Sequence, residues 1–400
     1  MKIRHFYQLM AEIFLNTFLL IFITGLLLSG IFTLKDYWMK QTTHEHNPVS
    51  QRYHGLLKKV YPDLTEKEID NLLTETWTRK FSYAPFIQYK ETAFAGKYVN
   101  VDENGFRKTK NQGPWPPDPH FFNVYLFGGS TTFGYGVADN DTIASYLQNY
   151  LENLNLDRKP KIYNFGRASY YSSQERILFE TLITKNNVPD MAIFIDGLND
   201  FYRGYQTDEP WMTNNLADFM SHKFQKSKYL FKEIIRATPF YRLSLYLKRH
   251  FGFPKEYGTN LIREELEVDR PENKKLFNDF VIQRYASNKK MIEAIADAYN
   301  IKVGFVWQPV PSYDYDLKYH LFLRKGAFKY FESMKFGYPD VEAKSKEGFF
   351  GENFIWAANI QSNAKESLYV DSCHYTVGMS KLLAEFIGEK LSELKIINSG

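Results

Sequence analysis

Four hundred residues, 44% hydrophobic and 24% charged with 23 glycines and 16 prolines, describe a folded chain of about two domains rather than a low-complexity or disordered one. The balance of 50 Lys and Arg against 46 Asp and Glu leaves a net charge of +4, too weak a whole-chain field to argue for nucleic acid, so any basic partner surface is local. A single cysteine, Cys373, excludes an intramolecular disulfide and every multi-thiolate metal or iron–sulfur site. The 34 Phe, 29 Tyr and 6 Trp, 17% of the chain, suit sugar or acyl-chain platforms, but a core and surface rich in Tyr and Phe is the simpler account.

A short head, residues 1–12, precedes a stretch from Ile13 to Leu34 that holds no charged side chain. As a helix these residues span roughly 33 Å, enough to cross a hydrocarbon layer of ~30 Å. The stretch is longer than a typical signal-peptide core and no Ala-x-Ala pattern follows it, which predicts an uncleaved signal anchor. With no second apolar stretch behind it, the chain reads as single-pass, its long C-terminal part translocated to a periplasmic or extracellular location.

Residues 35–120 read as a stalk and accessory region. Lys35 to Pro48 is polar, with Tyr37 and Trp38 where an interfacial anchor would lie, and His44 and His46 form a pair without a third ligand. Thr65 and Glu68 have the spacing of a capping box, and Ile69, Leu72, Leu73 and Trp77 recur at helical intervals, predicting a helix over about Thr65–Arg79. Phe81 to Val101 is aromatic and β-leaning, closed by Asp102-Glu103-Asn104-Gly105.

From residue 121 to 400 strands and helices alternate. Strands are predicted at Val124–Phe127, Ile162–Asn164, Met191–Asp196 and Val303–Trp307, and helices at Ile143–Leu154, Gln174–Lys185, Asn278–Tyr299 and Val377–Leu394. That alternation predicts a parallel sheet covered by helices on both faces. An insertion at about 203–277 interrupts it. Between His222 and His250 stand Lys223, Lys226, Lys228, Lys232, Arg236, Arg242, Lys248 and Arg249 against one acid, Glu233, with apolar residues interleaved and Thr238-Pro239 restarting a helix. Two short basic amphipathic helices are expected, either a lid on anionic headgroups or glycan, or a helical insertion with a solvated basic face.

The chemistry-bearing residues sit at strand ends, where an open α/β sheet places its ligands. The first strand runs into Phe127-Gly128-Gly129-Ser130-Thr131-Thr132-Phe133-Gly134, a glycine-rich turn that aims backbone N–H groups outward and exposes the Ser130 hydroxyl. It lacks the lysine of a phosphate loop and the second glycine of a G-x-S-x-G elbow. The second strand ends in Asn164-Phe165-Gly166 and the third in Asp196-Gly197-Leu198-Asn199-Asp200. Asp371-Ser372-Cys373-His374 opens the last helix, at a spacing that lets the carboxylate hold the imidazole Nδ1–H. Singly, that pair reads first as a helix cap beside a surface histidine.

In this order the four blocks resemble the SGNH (GDSL) hydrolase superfamily, over about Asn123 to Leu391. The resemblance implies a three-layer αβα sandwich with a flavodoxin-like parallel sheet, a nucleophile at Ser130, and a base and its orienter at His374 and Asp371. It also implies an oxyanion hole from the N–H groups of Ser130 and Gly166 and the side-chain amide of Asn199. Asn104-Gly105-Phe106-Arg107 looks like a segment preceding the domain in bacterial membrane-anchored members. The chain departs from the Gly-Asp-Ser pattern in having Gly129 for the aspartate, a residue that supports the turn rather than attacking substrate. Cys373 is taken as a packing residue.

The expectation is a membrane-anchored serine esterase, removing or transferring O-acyl groups on cell-surface glycans or lipid-like esters, with neither metal nor cofactor and no nucleic-acid partner. A membrane-bound O-acyltransferase is the candidate partner for a transferase variant. The alternative is a catalytically silent scaffold of an envelope acylation system.

Overall fold

The computed structural model describes residues 2–42, 47–204, 238–250, 271–323 and 332–397. They fall into two compact units, one of residues 1–45 and 214–265, the other of 46–213 and 266–400. His44, His46, Lys223, Lys226, Lys228, Lys232 and Arg236, and with them the first expected basic helix, lie outside the described residues.

In the first unit, helix α1 (Lys2–Thr42) contains the apolar stretch and continues through much of the segment expected as a polar stalk. Among the described residues it is the one helix long and apolar enough to cross a membrane. Its large apolar side chains are exposed, Phe14 by 74%, whereas Phe32 is buried.

The second unit opens with α2 (Pro48–Tyr53) and α3 (Glu66–Trp77). The capping box at α3 forms, with the Thr65 hydroxyl accepting from the Glu68 N–H and the Glu68 carboxylate from the Thr65 N–H. Two antiparallel pairs follow, β1 (Phe81–Ala84) with β2 (Gln88–Glu91), and β3 (Phe94–Ala95) with β4 (Asn100–Val101). Residues 46–120 share one compact unit with the sheet domain.

The core is a five-stranded parallel sheet of β5 (Phe122–Gly128), β6 (Pro160–Asn164), β7 (Met191–Asp196), β8 (Lys302–Trp307) and β9 (Phe354–Trp356), in the order β6-β5-β7-β8-β9. Between its first strands stand helices α4 (Ser130–Phe133), α5 (Ile143–Glu152) and α6 (Ser172–Thr184), and α7 (Leu198–Gly204) follows β7. In the first unit α8 (Pro239–His250) follows, and the second resumes with α9 (Pro271–Ala298), α10 (Glu332–Lys346) and α11 (Val377–Glu393).

Side chains alternate across a strand, so one strand serves two cores. Val124 and Leu126 of β5 pack with Leu147 and Leu151 of α5 and Leu383 and Ile387 of α11. Tyr125 and Phe127 face the other way, onto Phe179 of α6 and Ile292 and Ala296 of α9. Burying each aliphatic side chain contributes about 1.5–3 kcal/mol, and doing so on both faces is what holds a parallel sheet in this register. The layers are those of the expected αβα sandwich. Strand β9 and helix α10 escaped prediction, because three residues carry no period and Pro339 stands inside the helix.

Candidate active site

Strand β5 is buried along almost its whole length and delivers Gly129 and Ser130 to its carboxyl end. Gly129 caps α4 in an extended conformation, and Ser130 is the first helical residue. The turn closes at Gly134, whose φ of +92° suits glycine, with the N–H groups of Gly134 and Tyr135 both donating to the Ser130 carbonyl at 3.0 Å. Gly129 has a steric reason. A Cβ there would overlap the Asn199 Nδ2, so an aspartate at this position has no room while Asn199 holds its place.

His374 brings Nε2 to 2.8 Å from the Ser130 Oγ and Nδ1 to 2.7 Å from Asp371 Oδ2. The other oxygen of Asp371 accepts the backbone N–H groups of Cys373 and His374, each at 2.9 Å, so the carboxylate is held from both sides. The His374 and Asp371 side chains are only 13% and 10% exposed. Burial opposes charge on both, but their mutual attraction outweighs it, holding the His374 pKa above the ordinary imidazole range and the Asp371 pKa below the carboxylate range. Cys373 is buried, its Sγ 3.7 Å from His374 Nδ1.

Gly166 and Asn199 stand at the ends of β6 and β7 as expected, although each already has an engagement. The Gly166 N–H donates to Asn164 Oδ1 at 3.0 Å, and Asn199 Nδ2 donates one hydrogen to the Tyr170 carbonyl at 2.7 Å. Gly166 lies against the backbone of Thr132 and Phe133, leaving no space for a Cβ. The Asn199 amide keeps a second hydrogen, and the Ser130 N–H belongs to the first helical turn, where intrahelical partners are lacking. Of the basic insertion residues, Arg242 is described; it belongs to the first unit and not to this one.

Four residues outside the expected set complete the surroundings. Tyr135 stacks on His374 with ring centroids 5.4 Å apart and 24° between planes, and Trp77, at the end of α3, meets the same imidazole edge-on at 5.3 Å and 87°. Gln308, just past β8, accepts the Thr131 hydroxyl at 2.7 Å and lies 3.2 Å from the Tyr375 hydroxyl, tying the neighbour of Ser130 to the neighbour of His374. Arg107, fully buried, donates to Asp139 and to the carbonyls of Phe133, Gly134 and Val137, clamping the far side of the Ser130 turn. The signal for Gln308 was its strand-end position, and that for Arg107 its Asn-Gly-Phe-Arg setting. Trp77 carried no signal beyond its helical spacing.

An open parallel α/β sheet with a serine, a histidine and an aspartate hydrogen-bonded in series beyond the carboxyl ends of its strands defines the class of architecture. No protein-family model matches the sequence, and a comparison with curated proteins finds no match either. Solved structures to which the chain is similar include a member of the lipolytic protein G-D-S-L family from Veillonella parvula, at 11% identity and a TM-score of 0.36 over 67% of this chain and 96% of that one. Another is a catalytic mutant of an acetylxylan esterase from Geobacillus stearothermophilus, at 12% identity and a TM-score of 0.35 over 68% and 94%. A third is an α/β hydrolase enzyme from the metagenome of Lake Arreo, at 13% identity and a TM-score of 0.34 over 70% and 100%.

Proposed function

We propose that this chain is a serine esterase of the SGNH type, anchored to a membrane by α1 and acting on O-acyl groups of a glycan or lipid-like ester. The observation that carries the reading is the hydrogen-bonded series from Ser130 Oγ through His374 to Asp371. Its membrane part rests on the length and exposed apolar surface of α1.

In this reading Ser130 Oγ attacks the ester carbonyl while His374 Nε2 takes its proton, and Asp371 holds the imidazole by its Nδ1–H. The oxyanion meets the Ser130 N–H and the second amide hydrogen of Asn199, each such donor being worth about 3 kcal/mol, and the Gly166 N–H joins them once it turns from Asn164. The imidazolium then protonates the departing alcohol, leaving an acyl-serine. Water attacking that ester completes hydrolysis; a sugar hydroxyl in the same place completes transfer.

The test is hydrolysis of p-nitrophenyl acetate, and labelling by a fluorophosphonate, in the full chain beside Ser130→Ala and His374→Ala. Loss of turnover by at least about 10³-fold in each variant, with no label on Ser130→Ala, is the expected result. A folded parent that neither turns over nor takes the label would overturn the reading in favour of a scaffold.

A further inference from the structure

The one described helix of the basic insertion lies along α1. A Cβ at Gly25 would come within 3.5 Å of the Phe240 ring, the Arg242 guanidinium sits 4.6 Å above the ring of buried Phe32, and Lys35 Nζ lies 4.7 Å from the Tyr246 ring. The contacts step in the same direction along both helices. Gly25 is nine residues from Leu34, so α8 reaches from the end of the apolar stretch to a depth of about 14 Å within it. Twelve residues make a helix of about 18 Å, too short to span ~30 Å of hydrocarbon and long enough to enter one leaflet.

From this placement we infer that α8 is a second membrane element, a helix dipping into the leaflet at the Lys35 end of α1, with the bilayer itself as its partner. The inference rests on the reading of α1 as a span. Phe240, Tyr246 and Leu247 remain 38–40% exposed after packing on α1, beside the uncovered apolar side chains of α1 itself. Water would penalise that combined surface, whereas acyl chains would solvate it. Its one described cation is placed to match: Arg242, level with Phe32 near the end of the span, lies over an aromatic face. At the deep end the Thr238 hydroxyl and carbonyl both accept from the Tyr241 N–H, satisfying a group that hydrocarbon would leave bare. The sequence passes between the two units at 45–46, 213–214 and 265–266, so three chain segments would tie the esterase to the bilayer, which favours an ester presented at the membrane over a freely diffusing one.

The experiment reconstitutes the full chain in vesicles of phosphatidylcholine with phosphatidylglycerol, carrying an environment-sensitive fluorophore on Phe240→Cys or, separately, Leu20→Cys. The parent, whose one cysteine is the buried Cys373, supplies the background. Blue-shifted emission quenched by nitroxide lipids at both positions is the expected result. Quenching at Leu20 with Phe240→Cys open to an impermeant maleimide would overturn the inference and leave the anchor standing. Protection at Phe240→Cys without lipid quenching would overturn it in favour of a protein partner. No quenching at either position would remove the anchor and the inference together.

Discussion

At the scale of single residues, His374 is the group whose environment sets the working pH. Burial opposes its protonation, but the Asp371 carboxylate prevails and raises the imidazole pKa. The base works only when neutral, so kcat/KM should fall on acidification with a midpoint above the ordinary value of about 6.5. In Asp371→Asn the opposing charge disappears while burial remains. The midpoint should then move to lower pH and kcat fall by about 10³-fold or more, which a pH profile on p-nitrophenyl acetate would check. An unmoved midpoint would mean that Asp371 holds the loop without tuning the base. Gly129 belongs to the same scale: its missing side chain is the space that Asn199 occupies, so the departure from Gly-Asp-Ser is matched by a neighbour.

Among elements, the upstream helix α3 and the turn after β5 cooperate around the histidine. Trp77 and Tyr135, themselves edge-on at 5.1 Å, bring ring centroids within 5.3 and 5.4 Å of an imidazole that becomes cationic during turnover. Removing one ring while keeping the apolar packing, as in Trp77→Leu, should forfeit about 1 kcal/mol, near a fivefold fall in kcat, and lower the acid midpoint, whereas Trp77→Phe should retain both. A loss confined to thermal stability would assign Trp77 to packing alone. Behind the Asn199 loop, Glu175 of α6 and Asp196 of β7 are both buried. Neither oxygen of Glu175 nor Oδ1 of Asp196 finds a donor among the other described residues. Burial first, then the charges of Asp196 and Asp200, push the Glu175 pKa well above the carboxyl range, and the expected outcome is one proton held between the two acids. The raised folded pKa makes the stabilisation complete below the unfolded value of about 4.3, and it is lost as pH rises toward the folded one. Glu175→Gln, which carries a permanent donor, should therefore gain in melting temperature over the parent as pH is raised from about 5 to about 8. A constant difference across that range would dispose of the shared proton.

The whole molecule contains a second buried histidine with the opposite sign. His320 stacks on Tyr369 at 5.2 Å, and burial pushes its pKa down to about 4. Its contribution to stability is complete above the unfolded value of about 6.5 and is lost as pH falls through about 4, a change of roughly 3 kcal/mol. The melting temperature should drop over that window, and His320→Gln should flatten the drop. An equally steep profile in the variant would place the acid sensitivity elsewhere.

Periodicity and turn chemistry in the chain are enough to locate four of the five parallel strands, the capped helix at Thr65, the strand-end positions of Ser130, Gly166 and Asn199, and the spacing of Asp371 and His374 ahead of the last helix. Each is a local signal: apolar runs bounded by glycine, a capping box, an Asp three residues ahead of a His. The apolar stretch from Ile13 to Leu34 was legible for the same reason, since length and the absence of charge are properties of the string alone. What tertiary structure decided is every relation between residues far apart in sequence. Trp77 reaches His374 across 297 positions, Thr131 meets Gln308 across 177, and Arg107 grips the turn after β5, because packing brings them together and no spacing rule encodes it. Space decided the rest: Gly129 is small because Asn199 is there, and the Gly166 N–H faces Asn164 because a buried donor takes the nearest acceptor.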